Sequence, residues 1–157
     1  MKITLLTIGK TEDKYLLEGM EKYLKRLKHY VTFAVMELPE LKNTKSLSQD
    51  QQKSREAELI LKNISATDQL ILLDENGMTL SSTEFSGFLN KKMSASVQQL
   101  IFIVGGPYGF SDDIYKRATE KISLSRMTFS HQMVRLFFIE QVYRAFTIIK
   151  GEPYHHQ

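Results

Sequence analysis

Apolar residues along this chain fall into two rhythms, short unbroken runs and longer amphipathic stretches, and they alternate. Lys2–Ile8 is persistently apolar and predicts a buried strand. Val31–Leu38 predicts a second strand, stopped by Pro39, and Asp68–Leu73 a third. Leu100–Val104, an unbroken β-branched and aromatic run, predicts a strand buried on both faces, and Ile122–Leu124 a brief fifth. Between them lie helical patterns. Thr11-Glu12-Asp13 can cap a helix reaching about Lys28, with Tyr15, Leu16, Met20, Tyr23, Leu24 and Leu27 on its apolar face. Ser48-Gln49-Asp50-Gln51 and Ser81-Ser82-Thr83-Glu84 have capping-box spacing and open helices to about Asn63 and Lys92. The lysine-bearing Leu41–Leu47 segment reads as a surface loop, and Asp74-Glu75-Asn76-Gly77 as the turn that ends the third strand. A short helix spans Asp112–Thr119, and Ser130 caps the longest one, His131 to Lys150, closed by Gly151 and Pro153. The expected fold is α/β: a mainly parallel sheet with flanking helices, in a single domain over residues 1–157.

The last helix breaks the amphipathic rule. Met133, Val134, Leu136, Phe137, Phe138, Ile139, Val142, Tyr143, Ala145, Phe146, Ile148 and Ile149 cover nearly its whole circumference. Such a helix must be covered on more than one side, which predicts that it packs on its own sheet and also on a second subunit. Its polar residues form two i,i+4 pairs, His131 with Arg135 and Glu140 with Arg144.

The strand Leu100–Val104 runs into Gly105-Gly106-Pro107-Tyr108-Gly109. Ligands of open α/β sheets bind beyond the carboxyl ends of the strands, so this loop is the first candidate for a ligand site. It is not a known nucleotide motif. G-G-x-x-G differs from the G-x-G-x-x-G of dinucleotide folds, and Gly9-Lys10-Thr11 lacks the earlier glycine of a P-loop, since position 4 is Thr4. By itself the cluster is equally compatible with a plain tight turn.

Composition narrows the classes further. The chain has 157 residues, 42% of them hydrophobic and 25% charged, which suits one domain with a real core. Without cysteine there is neither a disulfide framework nor thiolate chemistry, a usage that suits the cytoplasm. The start lacks the features of a signal peptide, no apolar run approaches the roughly 18 residues of a membrane span, and no His/Asp/Glu cluster has metal-ligand spacing. The formal charge of +3 permits a polyanionic partner without requiring one.

Three segments taken together go beyond a generic α/β pattern. They are Leu73-Asp74-Glu75-Asn76-Gly77, then Ile103-Val104-Gly105-Gly106-Pro107-Tyr108-Gly109, and last Leu124-Ser125-Arg126-Met127-Thr128-Phe129-Ser130-His131. The last continues through Arg135 and Glu140-Gln141-Val142-Tyr143-Arg144-Ala145 to Gly151 and Tyr154-His155. In order and spacing the chain resembles, over essentially its full length, the ribosomal RNA large subunit methyltransferase H family of the SPOUT (α/β-knot) superfamily. The resemblance implies a C-terminal trefoil knot, S-adenosylmethionine as cofactor and an obligate homodimer. It also implies methyl transfer to N3 of a pseudouridine in 23S rRNA of the assembled ribosome. Carried over by position, Leu73, Gly105, Leu124, Ser125, Arg126, Met127, Thr128 and Phe129 would line the cofactor site. The family usually ends in Tyr-His followed by Arg or Lys, whereas His156 and Gln157 follow here.

Transfer from a sulfonium is an in-line displacement governed by positioning, but the N3 imide proton must also leave. His131, Arg135, Arg144 and His155 are the candidates to accept that proton or to stabilise the anion, and Tyr154 to contact the base. Pro153 stiffens the tail after Gly151, which predicts that Tyr154 and His155 are aimed at a cofactor site, their own or a partner's. Two alternatives stay open: a SPOUT methyltransferase for tRNA or another rRNA nucleotide, and a non-catalytic dimeric module that binds RNA or the ribosome.

Overall fold

The computed structural model describes residues 1–156, so Gln157 of the tail lies outside the described residues. Strands β1 (Lys2–Ile8), β2 (Thr32–Leu38), β3 (Gln69–Thr79), β4 (Gln99–Val104) and β5 (Glu120–Ser123) form one sheet in the order β2-β1-β4-β3-β5, every neighbouring pair parallel. Helices α1 (Lys14–Leu27), α2 (Gln49–Lys62), α3 (Ser82–Ser94), α4 (Asp112–Arg117) and α5 (Met133–Lys150) make the connections, with a single 3-10 turn at Thr44–Ser46.

Both faces of the sheet are covered, which explains why β4 is an unbroken apolar run. Its Leu100, Phe102 and Val104 join Ile3, Leu5 and Ile71 beneath α1, α3 and α5. Ile101 and Ile103 point the other way, with Leu6, Leu70 and Leu72, against Ala57 and Ile60 of α2 and Ile114 of α4. The two predicted capping boxes are present, each with both of its reciprocal hydrogen bonds.

The structure revises three local expectations. β3 does not end at Leu73. Leu73 and Met78 both face Ile122 of β5, so Asp74–Gly77 is looped out of a strand that then resumes. Gly77 is required there because a Cβ would lie 2.6–2.8 Å from the backbone of Lys121 and Ile122. At α1, Asp13 occupies the cap position without a side-chain bond, and Thr11 is turned into the core, where it meets Arg135. Tyr15 is exposed rather than on the apolar face. The helix α5 begins at Met133, its first turn tied to Ser130 through the Met133 N–H to Oγ (3.0 Å) and the Val134 N–H to the Ser130 carbonyl (3.0 Å).

One chain covers most of α5. Phe138, Ile139, Val142, Tyr143, Ala145 and Phe146 are buried between the sheet, α1 and α3. The apolar circumference of α5 therefore does not by itself require a second subunit. The large apolar groups it leaves exposed are Met133 and Phe137, with Phe129 packed at a tilt beside Phe137 (centroids 5.1 Å apart). Glutamate at Phe138, Val142 or Phe146 would probe the folding of the monomer rather than an interface.

Candidate functional site

The carboxyl ends of β4 and β5 and the segment looped out of β3 open onto a cavity of about 470 Å³, well within the size range of small-molecule sites. Each wall follows from a local feature of the chain. The loop leaving β4 closes a tight turn at Gly106–Gly109, with the Gly109 N–H on the Gly106 carbonyl at 3.1 Å. The segment looped out of β3 supplies Asp74, Glu75 and Asn76. Asp74 is held by the Asn76 N–H (2.8 Å) and by the Tyr115 hydroxyl of α4, which donates to its other oxygen. Desolvation, followed by this bond to Asp74, pushes the Tyr115 phenol up to about 12, so it remains a donor at neutral pH. After β5, Ser123 donates to the Ser125 carbonyl (2.8 Å), and the Ser125 hydroxyl accepts from the Met127 N–H (2.9 Å), which curls Leu124–Phe129 over the opening.

Of the residues assigned to a cofactor, Leu73, Gly105, Leu124, Ser125, Met127, Thr128 and Phe129 line the cavity. Arg126 is exposed and outside the lining. Sequence reasoning did not single out Tyr115, Ser123 or Val134, which also line it; their participation depends on α4, β5 and α5 meeting in space, and no local pattern marks them. A side chain at Gly105 would press on the Phe110 ring at 3.1–3.3 Å, so it would act through that ring, itself part of the lining, rather than by filling the centre.

The candidates for catalysis are dispersed. His131 lines the cavity. Arg135 does not: it is 2% exposed and donates to the carbonyls of Ile8 and Gly9, the Thr11 hydroxyl and the His131 carbonyl, each at 3.0 Å. Burial lowers its pKa, and Glu37, Glu40 and Glu12 oppose that by favouring the cation. Its bonds clamp the amino end of α5 onto the loop after β1. Gln132 adds two more ties to that loop, at Lys10 and Glu12.

Arg144, Tyr154 and His155 gather at the other end of α5. The Arg144 guanidinium bonds Glu140 (2.5 Å) and approaches His155 Nδ1 (3.3 Å), and it lies 4.8 Å from the centre of the Tyr154 ring. The bond to Glu140 raises the Arg144 pKa. The Tyr154 hydroxyl donates to Glu140 (3.0 Å) and lies 3.2 Å from the Tyr23 hydroxyl, while its ring packs edge-on against Tyr143. Desolvation first, then these hydrogen bonds, push the phenol far above its usual range, so it serves as a donor and not as a base. The tail is thus aimed, as its stiffness suggested, but onto α1 and α5 of its own chain. Along α5 the rise from Met133 to Arg144 is about 16 Å, which separates this cluster from the cavity of the same chain. The described residues contain no group of three or more His, Cys, Asp or Glu that could hold a metal, and no helix long and apolar enough to cross a membrane.

A parallel sheet covered on both faces, with a glycine turn and two further loops framing a cavity at its carboxyl edge, defines an α/β protein with a cavity where open α/β sheets bind ligands. The family model described as predicted SPOUT methyltransferase matches residues 1–155, and the chain belongs to that methyltransferase family. Curated relatives share its full length. Proteins named ribosomal RNA large subunit methyltransferase H from Flavobacterium johnsoniae and Parabacteroides distasonis are 60% and 55% identical over 157 residues, 100% of both chains. The protein of that name from Cytophaga hutchinsonii is 60% identical over 156 residues, 99% of this chain and 100% of its own.

Proposed function

We propose that this chain is an S-adenosylmethionine-dependent methyltransferase acting on N3 of a pseudouridine in 23S rRNA of the assembled ribosome. In this reading it works as a cytoplasmic homodimer with the knotted C-terminal threading of its superfamily. The observation that carries the reading is the coincidence of full-length identity to large-subunit rRNA methyltransferases with a cavity at the ends of β4 and β5 and the segment looped out of β3.

The lining suits the cofactor. Leu73, Val104, Leu124, Met127 and Phe129 offer an apolar slot for an adenine, and the turns after β4 and β5 present backbone donors and acceptors. Asp74 and Glu75 place carboxylates beside a ligand that carries a sulfonium charge. When bound, S-adenosylmethionine supplies an electrophilic methyl group whose sulfur departs as a neutral thioether as the bond to N3 forms. The protein's part is to position the base in line and to take up or compensate the N3 proton. His131 stands at the cavity. Arg144, Tyr154 and His155 stand too far along α5 to reach it within one chain, so a second copy would bring its tail to this cavity, with His155 or Arg144 offsetting the imide charge and Tyr154 donating to the base. The exposed Phe129, Met133 and Phe137 beside the opening give such a copy an apolar landing.

Calorimetric titration with S-adenosylmethionine tests the cofactor assignment. Saturable binding at one site per chain is expected, weakened at least about tenfold by Gly105→Val, because the larger side chain displaces Phe110. No binding by the parent protein would favour the non-catalytic module, and unchanged binding by Gly105→Val would move the site elsewhere.

A further inference from the structure

Behind the glycine turn lies a buried acid with no part in the chemistry above. Glu56 on α2 is 5% exposed, on the same helical face as Ala57 and Ile60. Among the described residues no Lys, Arg or His forms an ion pair with it. The hydrogen bond to its carboxylate comes from Gln52 Nε2, at 3.2 Å. Desolvation, aided by the nearby Glu40 charge, raises its pKa against the opposing effect of Gln52. An acid so placed costs stability, and packing of α2 alone would be served by an apolar residue.

What it touches is the turn. A Cβ on Gly106 would lie 2.5 and 2.8 Å from the two Glu56 carboxylate oxygens and 2.9 Å from the carboxyl carbon. Gly106 is part of the cavity lining, whereas Glu56 is not. At the preceding position the Phe110 ring closes in to 3.1–3.3 Å of where a Gly105 Cβ would be. The turn is therefore wedged between cavity and α2, and it cannot sink toward the helix without colliding with the carboxyl group.

We propose that Glu56 is a positioning residue for the cofactor loop: its buried side chain braces Gly106 from behind and sets how far the Gly105–Gly109 turn projects into the cavity. This rests on the reading of the cavity as the S-adenosylmethionine site. Glu56 acts through the backbone of the turn and touches no substrate. Shape carries the role, so the isosteric amide preserves it and truncation removes it.

Two measurements on the full chain test the brace. In calorimetric titration well below the melting temperature, Glu56→Gln should bind S-adenosylmethionine within about threefold of the parent, and Glu56→Ala should bind at least about tenfold more weakly. Ile60→Ala, which loosens α2 one turn beyond Glu56, should lower the melting temperature while holding affinity within about threefold. Glu56→Asp, shorter by one methylene, carries the same test if Glu56→Ala does not fold. The second measurement needs no cofactor: Gly106→Ala should lower the melting midpoint of the parent by several degrees, and by less than half as much in a Glu56→Ala background. Parent-like affinity in the truncated variant, or an equal loss in Glu56→Gln or Ile60→Ala, would overturn the proposal. So would an equal melting cost of Gly106→Ala in both backgrounds. A parent that binds no cofactor would instead overturn the methyltransferase reading, with the melting pair still judging the brace.

Discussion

Removing residues 154–157 should abolish methyl transfer to ribosomes, by at least about a hundredfold, while leaving S-adenosylmethionine affinity within about threefold of the full chain. The ring of Tyr154 and its bonds to Tyr23 and Glu140 fix the tail at the end of α5 remote from the cavity that its own chain forms. The truncation therefore leaves the cofactor lining of that chain intact. It removes Tyr154 and His155, and it leaves Arg144 with Glu140 alone. Loss of the Tyr143 and Tyr23 contacts should also lower the melting temperature modestly. Mixing experiments locate the action: truncated chains combined with full-length chains disabled at the cavity by Gly105→Val should regain activity, because one copy supplies the cavity and the other the tail. Full activity of the truncated protein would make the tail dispensable. Lost cofactor binding would place the tail in the binding site itself.

Arg135→Ala should lower stability by about 3–5 kcal/mol. The guanidinium satisfies two carbonyls and a hydroxyl at the end of β1 as well as the His131 carbonyl, and its bonds to Gly9 and Thr11 are buried. Alanine removes all four of these bonds, leaving the Gly9 carbonyl with the Thr7 hydroxyl, and opens a cavity beside them. For a domain of this size the melting midpoint should fall by about 10 °C. Arg135→Lys should recover only part of the loss, since one ammonium cannot span a fork of four acceptors. An unchanged melting midpoint combined with abolished transfer would return Arg135 to the catalytic set.

Local and long-range features divide what the sequence makes readable from what it does not. The β4 run and the capping boxes at Ser48 and Ser81 are local devices, and they lie where the pattern put them. The glycine turn lines the cavity, and the sequence points to it through a strand end rather than through a motif. Asp74–Gly77 read as a turn because turns and looped-out strand segments use the same residues; only pairing with Ile122, remote in sequence, distinguishes them. Arg135 does bond His131, through its carbonyl, as the visible i,i+4 spacing suggests, but the carbonyls of Gly9 and Ile8 that it also serves lie 126 and 127 positions away. Nothing local marks Glu56, because its burial comes from the packing of α2 behind a loop fifty positions further along the chain.

The most direct test is methyl transfer from labelled S-adenosylmethionine to ribosomes from cells lacking this protein, followed by mass analysis of the nucleosides in each RNA. The expected product is N3-methylpseudouridine confined to 23S rRNA, formed on assembled ribosomes in preference to extracted rRNA or tRNA. Label in tRNA or on a different rRNA nucleotide, or no transfer by a protein that is folded, would contradict it.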